Sequence, residues 1–227
     1  MEQPERYESN LGVLSDEDIL QIQDITVTIV GLGGLGGNVA NQLVRLGVKR
    51  WILIDFDRFS MSNLNRQLFS TIDVLGRRKV EVVSQELLRI DPTIVIELHA
   101  SHVEELNNIE TDYLIDCVDD PKTKRYLAHL ASELHVPLLH GSCGGWYGQV
   151  GWILPGCTLL DDIYKNDQAG LEQTLRNPSF TPAVVASYMV SEFVKMVQKN
   201  PDTVVNELLL IDLFNNTLLL SGGDSNG

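Results

Sequence analysis

The sequence predicts an α/β fold: a Rossmann-like, mostly parallel sheet flanked by helices and continued by antiparallel strands. Three observations carry this. The run from Ile25 to Val30 is apolar and rich in β-branched residues, as a strand buried on both faces requires, and it ends in a cluster of glycines. Beyond it, short apolar runs alternate with segments of helical period, the pattern of a parallel sheet. From Pro137 onward, strand-like runs instead follow one another across close turns, which is how antiparallel strands connect.

Taken in order, 1–24 reads as an N-terminal helical arm, with Ser15 as N-cap and Asp16, Glu17 and Asp18 in an acidic first turn. Gly31, Gly33 and Gly36 complete a G-x-G-x-x-G spacing between that first strand and a helix over 38–46, stopped by Gly47. Gly31 permits the tight turn, Gly33 lets backbone N–H groups approach a phosphate, and Gly36 lets the helix pack on the sheet. A second strand, 51–54, ends in Asp55, about 20 residues beyond the glycines, the spacing expected of a ribose-binding carboxylate. The polar stretch 55–72 is long for a connection inside a compact domain, and such loops are usually functional.

A helix over 73–90 follows, with Val80, Val83 and Leu87 at helical intervals and Asp91-Pro92 ending it. Strands are predicted at 94–98 and 113–118, the latter running into Asp119-Asp120 before Pro121 opens another helix. Strands 137–141 and 148–154 flank a glycine-rich turn over 141–145 and pair antiparallel. The stretch 155–181 lacks a period and reads as a mobile crossover. Pro182 opens a helix, strands 208–213 and 217–220 close the sheet around Asn215-Asn216, and 222–227 reads as a frayed tail.

The 227 residues suit one large domain. A net charge of −14 argues against nonspecific nucleic-acid binding through phosphate neutralisation. Three separated cysteines without a C-x-x-C pair argue against a zinc site and a disulfide framework, and suit a reducing cytoplasm. The polar N-terminus and the lack of any long apolar run indicate neither export nor membrane insertion.

A glycine-rich turn followed by a strand-end acid serves both dinucleotides and ATP, so the phosphate chemistry must decide. Attack at the α-phosphorus of a triphosphate builds charge on that group and on the departing pyrophosphate, which needs fixed cations and a metal. Arg66 and Lys79 are candidates for the cations, and Asp119, at a strand's carboxyl end, for holding magnesium.

Gly31-Leu32-Gly33-Gly34-Leu35-Gly36, Asp55-Phe56-Asp57, Ser62-Asn63-Leu64-Asn65-Arg66-Gln67, Gly76 with Lys79, and Asp116-Cys117-Val118-Asp119-Asp120 resemble, in order and spacing, the ThiF/MoeB/HesA family, adenylating relatives of ubiquitin-activating enzymes. The resemblance covers nearly the whole chain and implies one ThiF-type adenylation domain over 1–227. It implies ATP- and Mg2+-dependent activation of the C-terminal glycine carboxylate of a small ubiquitin-like or sulfur-carrier protein ending in Gly-Gly, with pyrophosphate released. By the same resemblance Gly31, Gly33, Gly34 and Gly36 line the phosphates, Asp55 and Asp57 belong to the nucleotide site with Asp55 on the ribose, and Asn63 and Arg66 meet the phosphates and transition-state charge. Gln67 borders the nucleotide, Lys79 meets the α-phosphate, and Asp119 holds the magnesium. A homodimer and a separate sulfur donor are also implied.

Three departures stand out. Members commonly begin Arg-Tyr-x-Arg, with the second arginine reaching across the dimer, whereas here Arg6-Tyr7 precedes Glu8-Ser9. The paired C-x-x-C zinc motif is missing, and Cys157 lies too early in the crossover, without an activating neighbour, to read as an acyl-accepting nucleophile. Cys117 and Cys143 read as core residues. Two alternatives therefore accompany the leading reading: activation of a small-molecule or tRNA-attached carboxylate, and a catalytically weakened nucleotide-binding partner subunit.

Overall fold

The computed structural model describes residues 5–165 and 175–221. The elements that build the sheet and its layers are α1 (Asp16–Asp24), β1 (Thr26–Val30), α2 (Gly34–Leu46), β2 (Arg50–Ile54), α3 (Lys79–Ile90), β3 (Val95–His99), β4 (Tyr113–Asp116), α4 (Pro121–Leu134), β5 (Leu138–Gly144), β6 (Tyr147–Ile153), α5 (Leu159–Ile163), α6 (Phe180–Val197), β7 (Leu209–Asp212) and β8 (Thr217–Leu220). One eight-stranded sheet runs in the order β3-β2-β1-β4-β5-β6-β7-β8. It is parallel from β3 to β5 and antiparallel from there to β8, the predicted fold class.

Why β1 needs its apolar run is clear from its surroundings. Val27 and Ile29 point to a core shared with α1, α2, α3 and α6, while Val30 joins a second core with β2, β4 and α4. With both faces covered there is no place for an exposed side chain between Val27 and Val30. The chain passes from β1 outward through β2 to β3, then returns to the other side of β1 for β4. That reversal opens a crevice at the carboxyl ends of β1 and β4, where open α/β sheets bind ligands.

Ser15 caps α1 as the sequence predicts: its hydroxyl accepts from the Asp18 amide at 3.1 Å, and the Asp18 carboxylate accepts from the Ser15 amide at 2.9 Å. Asp120 caps α4 in the same manner, accepting from the Thr123 amide at 2.9 Å. The first helix after the glycines begins four residues earlier than expected, at Gly34, because the glycines themselves form its opening turn.

The helix expected over 73–90 is broken. A 3₁₀ turn, Ile72–Val74, is followed by Gly76 at φ +84°, and the chain then bonds to the preceding loop through the Gly76 amide to the Phe59 carbonyl (2.8 Å) and the Lys79 amide to the Asp57 carbonyl (3.0 Å). These bonds hold 75–77 as a turn and bend against the loop, Arg78 alone is extended, bridging to Arg58, and α3 starts at Lys79. The turn expected over 141–145 is shorter too. Gly141, Ser142 and Cys143 continue β5, pairing with Val150, Gln149 and Gly148, and only Gly145 and Trp146 make the turn. The crossover carries the short helix α5; its middle, 166–174, and the tail, 222–227, lie outside the described residues.

At the sheet's amino edge, the carboxylate of Asp91 is almost wholly buried and accepts from Arg6 at 2.7 Å, from Lys49, and from both the amide (3.0 Å) and hydroxyl (2.7 Å) of Thr93. Burial alone would raise its pKa, but the bonds from Lys49, Thr93 and Arg6 outweigh it and hold the group far below the usual carboxylate range. Because the folded value is depressed, the stabilisation is complete above the unfolded value of about 4 and is lost as pH falls through and below it. Asp91→Asn is expected to cost about 2 kcal/mol at pH 7 and progressively less below pH ~4. Urea denaturation of both forms at pH 7 and pH 3 measures this; an equal difference at the two pH values would show that the ion pairs contribute nothing.

Candidate active site

The crevice at the carboxyl ends of β1, β2 and β4 is a cavity of about 430 Å³. Its floor is the glycine loop. The Gly31 amide donates to the Ile54 carbonyl at 2.9 Å, and Gly31 passes so close to β4's end that a Cβ would stand 2.7 Å from the Cys117 carbonyl oxygen. Asp55 fixes the next step, one carboxylate oxygen accepting from the Leu32 amide at 2.6 Å and the other from the Asp57 amide at 2.7 Å. Burial pushes the Asp55 pKa up, opposed by the charge of Lys79 and by those two amides. Asp55 thus braces the loop as well as bordering the cavity. The N-terminus of α2 opens at Gly34, so free amides and the positive end of the helix dipole face the same space.

Lys79, the first residue of α3, lies buried with its ammonium 2.8 Å from an Asp57 carboxylate oxygen. Asn63 shapes the opposite wall: its side-chain oxygen accepts from the Ser60 amide at 2.9 Å, and its carbonyl accepts from the amides of Arg66 (3.1 Å) and Gln67 (2.9 Å). This compact turn presents Arg66, whose guanidinium donates to the Ser62 carbonyl and to Asn65 Oδ1, each at 2.9 Å. Gln67 is buried, and its Oε1 has no partner among the described residues. Asp119 stands exposed on the rim directly after β4.

Of the residues predicted from sequence, Gly31, Gly33, Gly34, Asp55, Asp57, Asn63, Arg66, Gln67, Lys79 and Asp119 all border this one cavity. Gly36 does not. A Cβ on Gly36 would lie 1.9 Å from the Gly31 carbonyl oxygen, so Gly36 packs against the turn out of β1, as the spacing alone implied. Cys157, half-buried, packs against the second core and does not line the cavity, whereas Cys117 and Cys143, buried as expected, form part of its wall. Sequence reasoning missed Phe56 and His102, whose rings stack 4.0 Å apart, and Asn177 of the crossover, all three of which line the cavity. His102 follows β3, so the rule that ligands gather at strand carboxyl ends could have found it; nothing local to Asn177 could.

The family pattern of ThiF matches residues 7–221. The chain belongs to the ThiF family. Among curated relatives, it is 34% identical over 160 residues to ubiquitin-like modifier-activating enzyme 5 of Drosophila mojavensis, covering 63% of this chain and 40% of that one. It is 27% identical over 201 residues to adenylyltransferase and sulfurtransferase MOCS3 of Caenorhabditis briggsae, covering 84% of this chain and 50% of that one. This ThiF-family chain thus spans half or less of the length of either relative. Its fold is shared with E. coli MccB crystallised with MccA (TM-score 0.80, 20% identity, 97% of this chain and 71% of that one) and with ATP (TM-score 0.75, 21% identity, 89% and 64%). Among the described residues, no helix is long and apolar enough to cross a membrane.

Proposed function

We propose that this ThiF-family chain is an ATP-dependent adenylyltransferase that activates the C-terminal glycine carboxylate of a small ubiquitin-like or sulfur-carrier protein. The observation that carries the reading is the gathering of Arg66, Lys79 and Asp119 around the cavity floored by Gly31, Gly33 and Gly34. Phosphates lie over the glycine loop and the start of α2, where backbone amides meet them. The base end points toward Phe56 and His102, with Asp55 and Gln67 Oε1 as acceptors for ribose hydroxyls. An incoming carboxylate oxygen attacks the α-phosphorus, the bond to the β-phosphate oxygen breaks, and pyrophosphate leaves. No general base is needed, since the nucleophile is already ionised. Catalysis rests on alignment and charge neutralisation, to which Arg66 and Lys79 contribute.

Magnesium fits the donor set. Asp119 is an exposed hard oxygen ligand free of hydrogen bonds to described side chains, and no group of three or more candidate ligands is assembled among the described residues. One carboxylate, phosphate oxygens and water is the usual company of this ion, which supplies charge neutralisation at the phosphates. Asp119→Asn is expected to raise the magnesium concentration giving half-maximal ATP–pyrophosphate exchange by about tenfold, because one anionic ligand is lost. An unchanged magnesium dependence would place the ion elsewhere.

Pyrophosphate exchange with a carrier protein ending in Gly-Gly tests the reaction directly, and exchange that appears with a tRNA and not with a protein tail would move the substrate to the alternative class. The chain is expected to act in the cytoplasm as a homodimer, passing its adenylate to a separate sulfur donor. One observation favours the weakened-subunit reading beside it. Arg6 is engaged with Asp91 at the sheet's amino edge, so its guanidinium does not replace the missing second arginine while that pair holds. ATP binding without pyrophosphate release, alone and with any carrier, would be its signature.

A further inference from the structure

Strand β5 outruns its neighbour. The β4 ladder ends where Asp116 meets His140, yet β5 continues to Gly144 along the wall of the cavity. On the side that β4 has vacated, its backbone is stitched by side chains. Lys124 donates to the Gly141 carbonyl at 3.0 Å. Asn177 donates from Nδ2 to the Cys143 carbonyl at 3.2 Å and accepts at Oδ1 from the Gly145 amide at 3.1 Å. Thr181 donates to the Gly145 carbonyl.

The Asn177 pair has a particular form. In a parallel ladder, one residue of the added strand gives its N–H to a carbonyl on the neighbour and takes a hydrogen bond from the amide two residues further on. A carboxamide carries the same donor and acceptor as a peptide unit, and Asn177 makes those two bonds, to Cys143 and Gly145. Its own carbonyl accepts from Asn65 at 3.1 Å, one residue from Arg66. The stand-in peptide unit therefore sits between the β5 edge and the loop that presents the arginine.

We infer that the edge of β5 over Cys143–Gly145 is a strand-addition subsite for the extended main chain of the polypeptide whose carboxylate is activated, held by the Asn177 carboxamide until that chain replaces it. The inference rests on the adenylation reading. Its physical reason is the poverty of side chains in a glycine tail: such a segment offers only its backbone, and an open strand edge is the element that binds backbone without side chains. The edge borders the same cavity as Arg66 and Asp119, so a chain paired there runs toward the α-phosphate.

Two non-hydrolysable probes test this: adenosine 5′-sulfamate, and the same nucleoside carrying Ala-Gly-Gly through an acyl-sulfamate link. Titration calorimetry on the full chain gives both dissociation constants. The tail is expected to tighten binding at least tenfold over the sulfamate. Replacing one tail amide by an ester, which removes a donor, should erase most of that gain. Asn177→Ala, which empties the edge in the free protein, should increase the ratio of the two constants threefold or more. A tail that adds no affinity, or a ratio that is unchanged or reduced in Asn177→Ala with the melting temperature preserved, overturns the subsite and leaves the nucleotide reading standing. Failure of both probes to bind removes the nucleotide reading and this inference with it.

Discussion

Lys79→Ala is expected to slow adenylate formation by about a hundred- to a thousandfold, with Arg66→Ala in the same range, the loss typical of removing one preorganised group that meets transition-state charge. The Lys79 side chain is only 6% exposed, and its ammonium is already aimed into the cavity by Asp57 at 2.8 Å. A cation fixed in this way needs no reorganisation as charge develops at the α-phosphorus, and its shielding from water strengthens its effect. The cost to stability should be small by comparison. Asp57 remains half exposed and can be solvated once its partner is gone, so the pair contributes about 1 kcal/mol or less to the fold. The loss should therefore appear in exchange rate and not in melting temperature. Arg66 is held through Ser62 and Asn65, at the surface of its loop, and the same division applies. If both variants fold and exchange at the wild-type rate, the charges that matter are elsewhere.

The contrast between what could and could not be read from the sequence follows from the range of the interactions. Strand β1, the glycine turn, the Ser15 cap and the antiparallel closure are set by local sequence, so periodicity and capping rules find them. The site residues predicted from sequence converge because they follow strands β1, β2 and β4, whose carboxyl ends the parallel topology brings to one edge. The break at Gly76 lies ahead of the periodic residues Val80, Val83 and Leu87, which all belong to the true helix, and it is bonds from the Gly76 and Lys79 amides to the Phe59 and Asp57 carbonyls that set where that helix starts. The close packing of Gly36 against Gly31 is implied by the glycine spacing, and only the atom distances give its extent. Asn177 is out of reach for a different reason: its partners Cys143, Gly145 and Asn65 are brought to it by tertiary folding alone.

The glycines allow the fold and the ligand to be separated by two single-methyl substitutions. Gly36→Ala is expected to destabilise the chain by about 3 kcal/mol or more, the upper range for overpacking, because its new methyl would lie 1.9 Å from the Gly31 carbonyl oxygen. That oxygen cannot easily yield. Gly31 is fixed by the hydrogen bond its amide donates to the Ile54 carbonyl and by its close approach to Cys117, and the next amide, Leu32, is held by Asp55. Gly33→Ala should behave in the opposite way. A methyl there meets only Gln67 Nε2, at 3.5 Å, an ordinary contact, and φ is negative, so stability should change by no more than about 1 kcal/mol. Yet the methyl stands on the cavity floor at the start of α2, where a phosphate must approach the backbone to reach its amides. ATP affinity is expected to fall at least tenfold, read by calorimetry beside urea denaturation of the same sample. Wild-type ATP binding by a folded Gly33→Ala protein would mean that the phosphates do not lie on this loop, and the roles of Arg66 and Lys79 would fall with it.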